Sequence, residues 1–480
     1  MLVLGCPDPA AAHQAVDPAI LALIAPARGP LATTQNTAAR RALIEEGRRL
    51  FMTETFGGNG RTCGTCHPAT NNFTLDPEYI RTLDRRDPLF VAEFNPKLAN
   101  LEIPQLLRQH ALILENVDGF DAPGVLRSVP HTLGLGLSIT PDTPGGFPLT
   151  HATGWSGDGA PGDGSLRQFA VGGVVQHLPK TLARVPGKDF RLPTGDELEA
   201  MLAFQLSLGR SEEMTVDPAM PGALVFKDTT VTAGQALFHD ALDRQGAGRT
   251  CSGCHGRAGA NNAAGRNRNR ATGANMVPNI PACLAPGLAP GDGGFGAEPV
   301  TMVPANEICG PGADSTIVFR GDQFFNTPSL IEAADTPPFF HNNAAQTIEE
   351  AVAFYTSDQF NDSINGNGRA FVLDQDQVDE IGAFLRAINA LENVRQAIHY
   401  IDNGTGEPGR PSGNTARAAL GDTRDAIEVL AEGPMLLLPA AVAALETAQA
   451  LLGQAMRQDD PALLAEARRE LVRARALMIQ

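Results

Sequence analysis

Several residue types and sequence patterns are rare or absent in this chain, and each absence excludes some functions. Aromatic residues make up 5% of its 480 residues, with one Trp and three Tyr, so an aromatic residue near a motif stands out. The sequence contains no apolar run of about 18 residues or more, and it therefore predicts no membrane-spanning helix. Basic residues are outnumbered, and the formal net charge of −17 argues against binding to nucleic acid or anionic lipid. An acidic surface suits a basic electron-transfer partner, and it would equally serve only to keep the protein soluble.

Cysteine is also scarce, and four of the seven cysteines fall into two copies of one pentapeptide. The copies are Cys63-Gly-Thr-Cys66-His67 and Cys251-Ser-Gly-Cys254-His255. C-x-x-C-H is the attachment signature of a c-type haem, in which two thiols form thioethers and the adjacent imidazole binds the iron. The alternative, a zinc site, would need two more ligands at short spacing after each pair, and neither stretch offers them. The sequence therefore predicts two covalent c-type haems.

The residues before the two pentapeptides repeat one another. Gly47–Phe51 reads Gly-Arg-Arg-Leu-Phe, and Arg61-Thr62 directly precedes the first motif. Gly234–Phe238 reads Gly-Gln-Ala-Leu-Phe, and Arg249-Thr250 directly precedes the second motif. A repeated unit of amphipathic helix, polar loop and haem motif predicts an all-α protein with two tandem cytochrome c-type domains and long irregular loops.

Changes in composition predict four segments, the last of which is a helical extension. After a Gly/Pro-rich linker, a helical pattern rich in Ala and Leu indicates two or three packed helices in that extension. The predicted segments are a signal remnant or tether (1–37), a first haem domain (38–215), a second haem domain (216–403) and the helical extension (415–480).

The remaining cysteines bear on the cellular compartment. Cys283 and Cys309 lie in one Pro/Gly-rich stretch, where a disulfide would staple a long loop. Haem attachment to C-x-x-C-H takes place outside the bacterial inner membrane, so we expect a periplasmic protein. Val3–Cys6 is typical of the end of a lipoprotein signal, which would make Cys6 a lipid anchor, and the other interpretation is that Cys6 is incidental.

Three further segments resemble motifs of the di-haem cytochrome c peroxidase and MauG superfamily. The most specific runs from Asn326-Thr-Pro-Ser-Leu330 through Thr336–His341 to the helix-like Thr347–Tyr355. The others are Arg127-Ser-Val-Pro130, and Trp155 with the Ser165–Ala170 segment that follows it.

The resemblance implies different roles for the two haems. The His67 haem would react with peroxide, and the His255 haem would share the second oxidising equivalent. Tyr355, fourteen residues after His341, would be the sixth ligand of the second iron, where the peroxidases have Met and MauG has Tyr. Tyrosinate stabilises ferric and higher states, whereas Met raises the potential. Trp155 would lie between the haems and couple them, although Tyr355 and Trp155 could each be core residues.

The chain departs from the peroxidase pattern above the reactive haem. Phe169 stands where the peroxidases have a Gln, and no acid occurs near Pro179, where they have a catalytic Glu. His177 is the nearest titratable residue, and it would either transfer protons or be a helix-end histidine bonded to backbone. Leu83 stands where the peroxidases have a removable histidine ligand, so we expect an open or water-bound first haem. His110 and His131 are other conceivable ligands.

The family also holds a calcium ion between its domains through an Asn side chain and two backbone carbonyls. The matching positions here are Ser128, Thr336 and Pro338. Oxygen ligands suit calcium, so a calcium ion is expected at these positions, although Ser is a weaker side-chain donor than Asn.

Three functions are compatible with these patterns. The first is a periplasmic di-haem oxidoreductase that uses hydrogen peroxide to oxidise a small cytochrome or an aromatic side chain of a partner protein. The second keeps the fold but uses O2 to cleave an apolar substrate, as polyisoprene-cleaving members of the superfamily do, since Phe169 makes the pocket more apolar. The third is a non-enzymatic electron carrier in which both irons are six-coordinate.

Overall fold

The computed structural model describes most of the chain, and every statement below refers to the described residues. These are residues 20, 22–29, 37–117, 119–121, 124–138, 154–155, 165–210, 214–240, 242, 248–256, 269–274, 291–292, 300–304, 306, 311–312, 316–321, 323–404 and 409–480. Cys6, Cys283 and Cys309 lie outside them, as do the lipid-anchor and disulfide predictions that depend on these cysteines.

The structure is predominantly helical, which confirms the predicted fold class. Pro or an Asx/Ser/Thr cap begins most of the helices, because these residues satisfy or remove the first unpaired amides. The helices of the first half are α1 (Thr37–Thr53), α2 (Cys63–Cys66), α3 (Pro77–Thr82), α4 (Val91–Phe94), α5 (Pro104–His110), α6 (Leu135–Ser138), α7 (Leu166–His177) and α8 (Gly195–Gln205).

The second half contains longer helices. Its α12 carries the capping pair Asp374 and Gln377, and apolar residues recur along its sequence at helical spacing, from Val378 through Ile381 and Phe384 to Leu391. The helices are α9 (Thr229–His239), α10 (Ile348–Ala353), α11 (Asp358–Asp362), α12 (Gln375–Asn403), α13 (Pro411–Ala431), α14 (Pro439–Gln458) and α15 (Pro461–Met478).

The sequence repeat before each haem motif is also a repeat of helix packing. In the first copy Gly47 of α1 lies against the Ala200 carbonyl of α8, and in the second Gly234 of α9 lies against the Glu380 carbonyl of α12. A Cβ at either glycine would collide with that carbonyl, so the glycine allows the two helices to cross in close contact. The capping box of Thr194 and Glu197 begins α8, as its sequence predicts.

The C-terminal helices share a core with the second haem motif's half of the chain. One apolar cluster extends from Val216 through Phe384 of α12 to Ile479. A bridge between Phe226 and Ile479 brings the end of the chain back to the segment before α9. Burial of apolar surface on both faces of α12 is therefore what holds α13, α14 and α15 in place.

The strands are short and lie in three small sheets. None was predicted from the sequence, and the second and third sheets lie partly in the long Gly/Pro-rich stretch. The sheets are the antiparallel pair β1 (Leu112–Glu115) and β2 (Val125–Ser128); the antiparallel pair β3 (Asn269–Arg270) and β7 (Phe325–Asn326); and β4 (Gly291–Asp292), β6 (Thr316–Arg320) and β5 (Val300–Pro304), in that order. Within the described ranges, no helix is both long enough and apolar enough to cross a membrane.

Candidate functional site

The first haem motif is a single turn of helix held between two apolar cores. The amide of His67 donates to the carbonyl of Cys63 at 2.9 Å, which closes the turn. Cys63 packs against the core that contains Leu50, and Cys66 packs against the core that contains Phe90. Neither cysteine forms a disulfide, so both thiols are available for thioether bonds.

His67 is oriented as a metal ligand. Its Nδ1 lies 2.8 Å from the carbonyl oxygen of Phe73, and its ring packs against Phe51 with centroids 5.8 Å apart. A bond from Nδ1 to a carbonyl fixes the tautomer that leaves Nε2 for a metal. Desolvation lowers the pKa of His67 to about 4, so its imidazole is neutral at pH 7, as metal binding requires.

The second motif has the same local form. Cys251–Gly253 makes a short helical turn, and the amide of His255 donates to the carbonyl of Cys251 at 3.0 Å. Nδ1 of His255 lies 3.2 Å from the Pro328 carbonyl oxygen, and desolvation lowers the pKa of His255 to about 4. Both pentapeptides therefore fit a c-type haem in thiol availability and in the orientation of the histidine.

Tyr355 and the second motif line one cavity of about 280 Å³, which Cys251, Cys254 and His255 also face. Phe354, Phe360 and Phe371 surround the phenol ring of Tyr355, with ring centroids 5.1–6.3 Å from it. Desolvation in this apolar setting raises the pKa of Tyr355 well above its usual value. A cation at the site would be needed to make Tyr355 an anionic ligand, as an iron would do.

Trp155 lies where the two halves of the chain meet. Its indole Nε1 donates to the carbonyl of Ser128 on β2 at 2.9 Å, and its own carbonyl accepts from the amide of Asn326 on β7 at 2.7 Å. It lines the same cavity as Tyr355. The structure thus places Trp155 between the first half and the second motif, and its role in coupling two haems stays a prediction.

The three residues predicted to bind calcium also line this cavity. The Ser128 hydroxyl donates to the Phe340 carbonyl at 3.1 Å, and the Thr336 hydroxyl donates to the Ala333 carbonyl at 3.0 Å. The carbonyl of Ser128 already accepts from Trp155. Several of these polar groups therefore have protein partners, and calcium binding through Ser128, Thr336 and Pro338 stays a prediction.

The residues predicted above the first haem lie on α7. Phe169 is half-buried near the start of the helix, and His177 is its last residue. The His177 carbonyl accepts from the side chain of Asn59 at 2.9 Å, which links the end of α7 to the loop before the first motif. Among the described residues, the His177 Nδ1 is buried and has no hydrogen-bond partner, so it makes no bond to backbone.

The structure adds three residues that were not predicted from the sequence. The carboxylate of Glu102 lies 3.7 Å from the Nδ1 of His177. Gln176, which precedes His177, and Arg184, which follows α7 and whose charge interacts with Glu102, each carry buried polar atoms. The only sequence signal for Glu102 is a lone acid between apolar residues, in Leu101-Glu102-Ile103. Tertiary contacts alone bring this carboxylate to α7.

The two other conceivable histidine ligands lie apart from each other. His131 lines the cavity of the second motif, and its Nδ1 accepts from the Leu133 amide at 3.2 Å. His110 ends α5, where desolvation lowers its pKa. The charge of His67 acts on His131, and the role of either histidine as an iron ligand stays a prediction.

Comparison with known proteins does not identify a family for this chain. No family model and no curated protein matches the sequence. Among solved structures, a variant of the diheme peroxidase BthA from Burkholderia thailandensis is similar at 16% sequence identity and a TM-score of 0.39, over 72% of this chain and 86% of that one. A likeness of that size carries no argument about the site, which is therefore assigned from its own residues.

Proposed function

We propose that this chain is a periplasmic di-haem c-type oxidoreductase that uses hydrogen peroxide. The observation that carries the proposal is the shared cavity of Cys251, Cys254, His255, Tyr355 and Trp155, since it combines an attachment motif, a candidate second axial ligand and a redox-active indole. The first pentapeptide, Cys63–His67, precedes Trp155 in the sequence, and it has the same local structure as the second.

Each haem, when attached, supplies an iron that changes its oxidation state, and at the first site an open position for peroxide. His67 and His255 orient Nε2 through their Nδ1 bonds to carbonyl oxygens. Tyr355 supplies a hard oxygen donor at the second site, which favours the ferric and higher states. The second site therefore suits storage of an oxidising equivalent.

In this proposal, electrons pass between the two haem sites through the indole of Trp155. Its indole is fixed by the Ser128 carbonyl on one side, and its backbone is fixed by Asn326 on the other. The electrons would come from a small cytochrome or from an aromatic side chain of a partner protein, and the acidic surface favours a basic donor. Calcium bound by Ser128, Thr336 and Pro338 would make the contact between the two halves of the chain at Trp155 more rigid.

Low-temperature EPR of the ferric holoprotein, before and after one equivalent of peroxide, tests this function. We expect one high-spin and one low-spin signal, and the loss of both on addition of peroxide. Two low-spin signals that peroxide leaves unchanged would overturn the proposal and leave an electron carrier.

The oxygenase alternative is favoured by one observation, the half-buried Phe169 on α7 where a peroxidase would present an amide. An apolar side chain there favours an apolar substrate. Consumption of O2 in the presence of an alkene and the absence of peroxide would establish this second function.

A further inference from the structure

Glu102 is a charged residue in an apolar setting. It lies just before α5, and its side chain is 0% exposed. One carboxylate oxygen accepts from Nη1 of Arg61 at 2.8 Å, and the other accepts from the Leu114 amide at 2.8 Å. Such bonds make burial of a carboxylate tolerable, and they fix its position to within a few tenths of an ångström.

The same carboxylate faces the imidazole of His177. Oε1 of Glu102, which also accepts from Arg61, lies 3.7 Å from Nδ1 of His177, whose side chain is 13% exposed. This separation is slightly too long for a hydrogen bond, and contacts of catalytic groups are often long until the substrate binds. A small rotation of the His177 ring would close it.

The protonation state of Glu102 follows from its neighbours. Burial by itself would raise the pKa of the carboxyl, but Arg61, His177 and the Leu114 amide together hold that pKa below its usual value. Arg184, whose charge also acts on Glu102, is the second cation near it. Glu102 is therefore an anion at pH 7.

Two residues near this pair carry buried polar atoms without partners: Gln176, which precedes His177 on α7, and Arg184, whose charge interacts with Glu102. Among the described residues, both side-chain amide atoms of Gln176 and the Nε of Arg184 are buried and make no hydrogen bond. Gln176 is 1% exposed, so bulk water does not solvate its amide. Buried polar groups without a protein partner indicate a place for a polar ligand or ordered water.

The pair belongs to the first haem site. Arg61 lies two residues before Cys63, and Asn59, which holds the carbonyl of His177, lies in the same loop. The charges of Arg61 and Glu102 act on Cys66, and His177 is close enough to His67 to act on it electrostatically. No acid occurs between Leu166 and Arg184, and tertiary contacts bring two carboxylates to α7: Glu199 pairs with Arg167 in its first turn, and Glu102 lies beside His177 at its end.

We propose that Glu102 is a positioning residue that holds the His177 imidazole for proton transfer at the first haem site. The proposal rests on the peroxide chemistry proposed above. His177 takes a proton from one peroxide oxygen and gives it to the other, which leaves as water when the O–O bond breaks. The two electrons for that break come from the haem sites, and Glu102 stays ionised while it orients the ring and stabilises its protonated form.

Cyanide binding to the ferric holoprotein tests this role without peroxide turnover. Hydrogen cyanide must lose its proton when it binds iron, so the association rate depends on a nearby base. We expect His177→Gln to slow association by about 100-fold. We expect Glu102→Gln to slow it by about tenfold and to move the pH midpoint of the rate to lower pH, since a nearby anion stabilises a protonated imidazole.

The double variant decides whether Glu102 acts through His177. With the imidazole already absent, Glu102→Gln should change the cyanide rate by less than about twofold. Effects that multiply in the double variant, or an unchanged rate and pH midpoint in the single Glu102→Gln variant, would overturn the proposal. If Glu102→Gln fails to attach haem, Glu102→Asp keeps the charge opposite Arg61 and should still slow the association.

Glu115→Gln is the matched control. Glu115 is also a buried carboxylate opposite an arginine, with Arg127 Nη1 3.6 Å away, and it follows Leu114 on β1. Side chains alternate along a strand, so this residue does not face the same side as Leu114. Its cyanide rate should equal that of the unmodified protein. An unmodified protein that binds no cyanide at either iron would instead contradict the proposed function itself.

Discussion

The two haem motifs share one pentapeptide pattern and have different surroundings. At the first, the histidine bonds to a carbonyl in the next turn, and the charged residues Glu102 and Arg184 lie near His177. At the second, His255 bonds to the carbonyl of Pro328, and an aromatic cluster surrounds Tyr355. The two pentapeptides thus have the same local form, and it is residues from distant segments that make their surroundings differ.

The difference divides proton chemistry from electron storage. A site that breaks an O–O bond must move a proton, which the polar cluster beside the first motif is equipped to do. In the proposed function, the second site stores an oxidising equivalent, and the phenol of Tyr355 among phenylalanines would become its anionic donor only when bound to the iron.

Removal of the proximal histidines should separate the two sites most clearly. His67→Gly should abolish the response of the EPR spectrum to peroxide, because the reacting iron loses its only protein nitrogen ligand. His255→Gly should keep the high-spin signal and remove the low-spin one. A peroxide response that survives in His67→Gly would show that the roles of the two sites are reversed.

Tyr355→Phe should change the second site alone. Loss of the phenol oxygen should convert the low-spin EPR signal to a high-spin one and raise the reduction potential of that haem by on the order of 0.1 V. Tyr400→Phe, at a half-buried tyrosine on α12, is the matched control and should leave spectrum and potential unchanged. An unaltered low-spin signal in Tyr355→Phe would make Tyr355 a core residue.

Trp155→Phe should weaken the connection between the sites. We expect the second haem's EPR signal to be lost about tenfold more slowly than the first after rapid mixing with peroxide, because phenylalanine is harder to oxidise than indole. Loss of the bond to Ser128 should also cost about 1 kcal/mol of unfolding free energy. If the EPR signals of both haems were lost at equal rates, as we expect in the unmodified protein, Trp155 would not carry electrons between the sites.

Glycine substitutions compare the helix crossings of the two halves. Gly47→Ala and Gly234→Ala each place a methyl group against a carbonyl of the crossing helix, and each should cost about 1–3 kcal/mol of unfolding free energy. Gly421→Ala on α13, where a Cβ meets nothing within 4 Å, should stabilise by about 0.5–1 kcal/mol. Denaturant titration measures all three, and a loss only in Gly47→Ala would show that the repeated glycines differ in packing.

Much of the fold was predictable because its signals are local. The two pentapeptides, the glycine repeat before them and the capping residues of α8 and α12 each lie within a few residues of the structure they specify. The apolar stripe of α12 predicts a buried helix for the same reason. The strands were missed because each is only two to five residues long, and β3, β4 and β5 lie in a Gly/Pro-rich stretch without alternating pattern.

The sequence by itself determined the two haem-attachment motifs, the helical repeat and the tyrosine that faces the second motif, since fixed spacings and periodicity carry these features. Only the tertiary structure decided which side chains meet. It places Glu102 against His177 across 75 positions of the chain, and Trp155 against Ser128 and Asn326. It also joins the C-terminal helices to the core around α12. Contacts between distant residues depend on how helices pack, and no short pattern in the sequence encodes that arrangement.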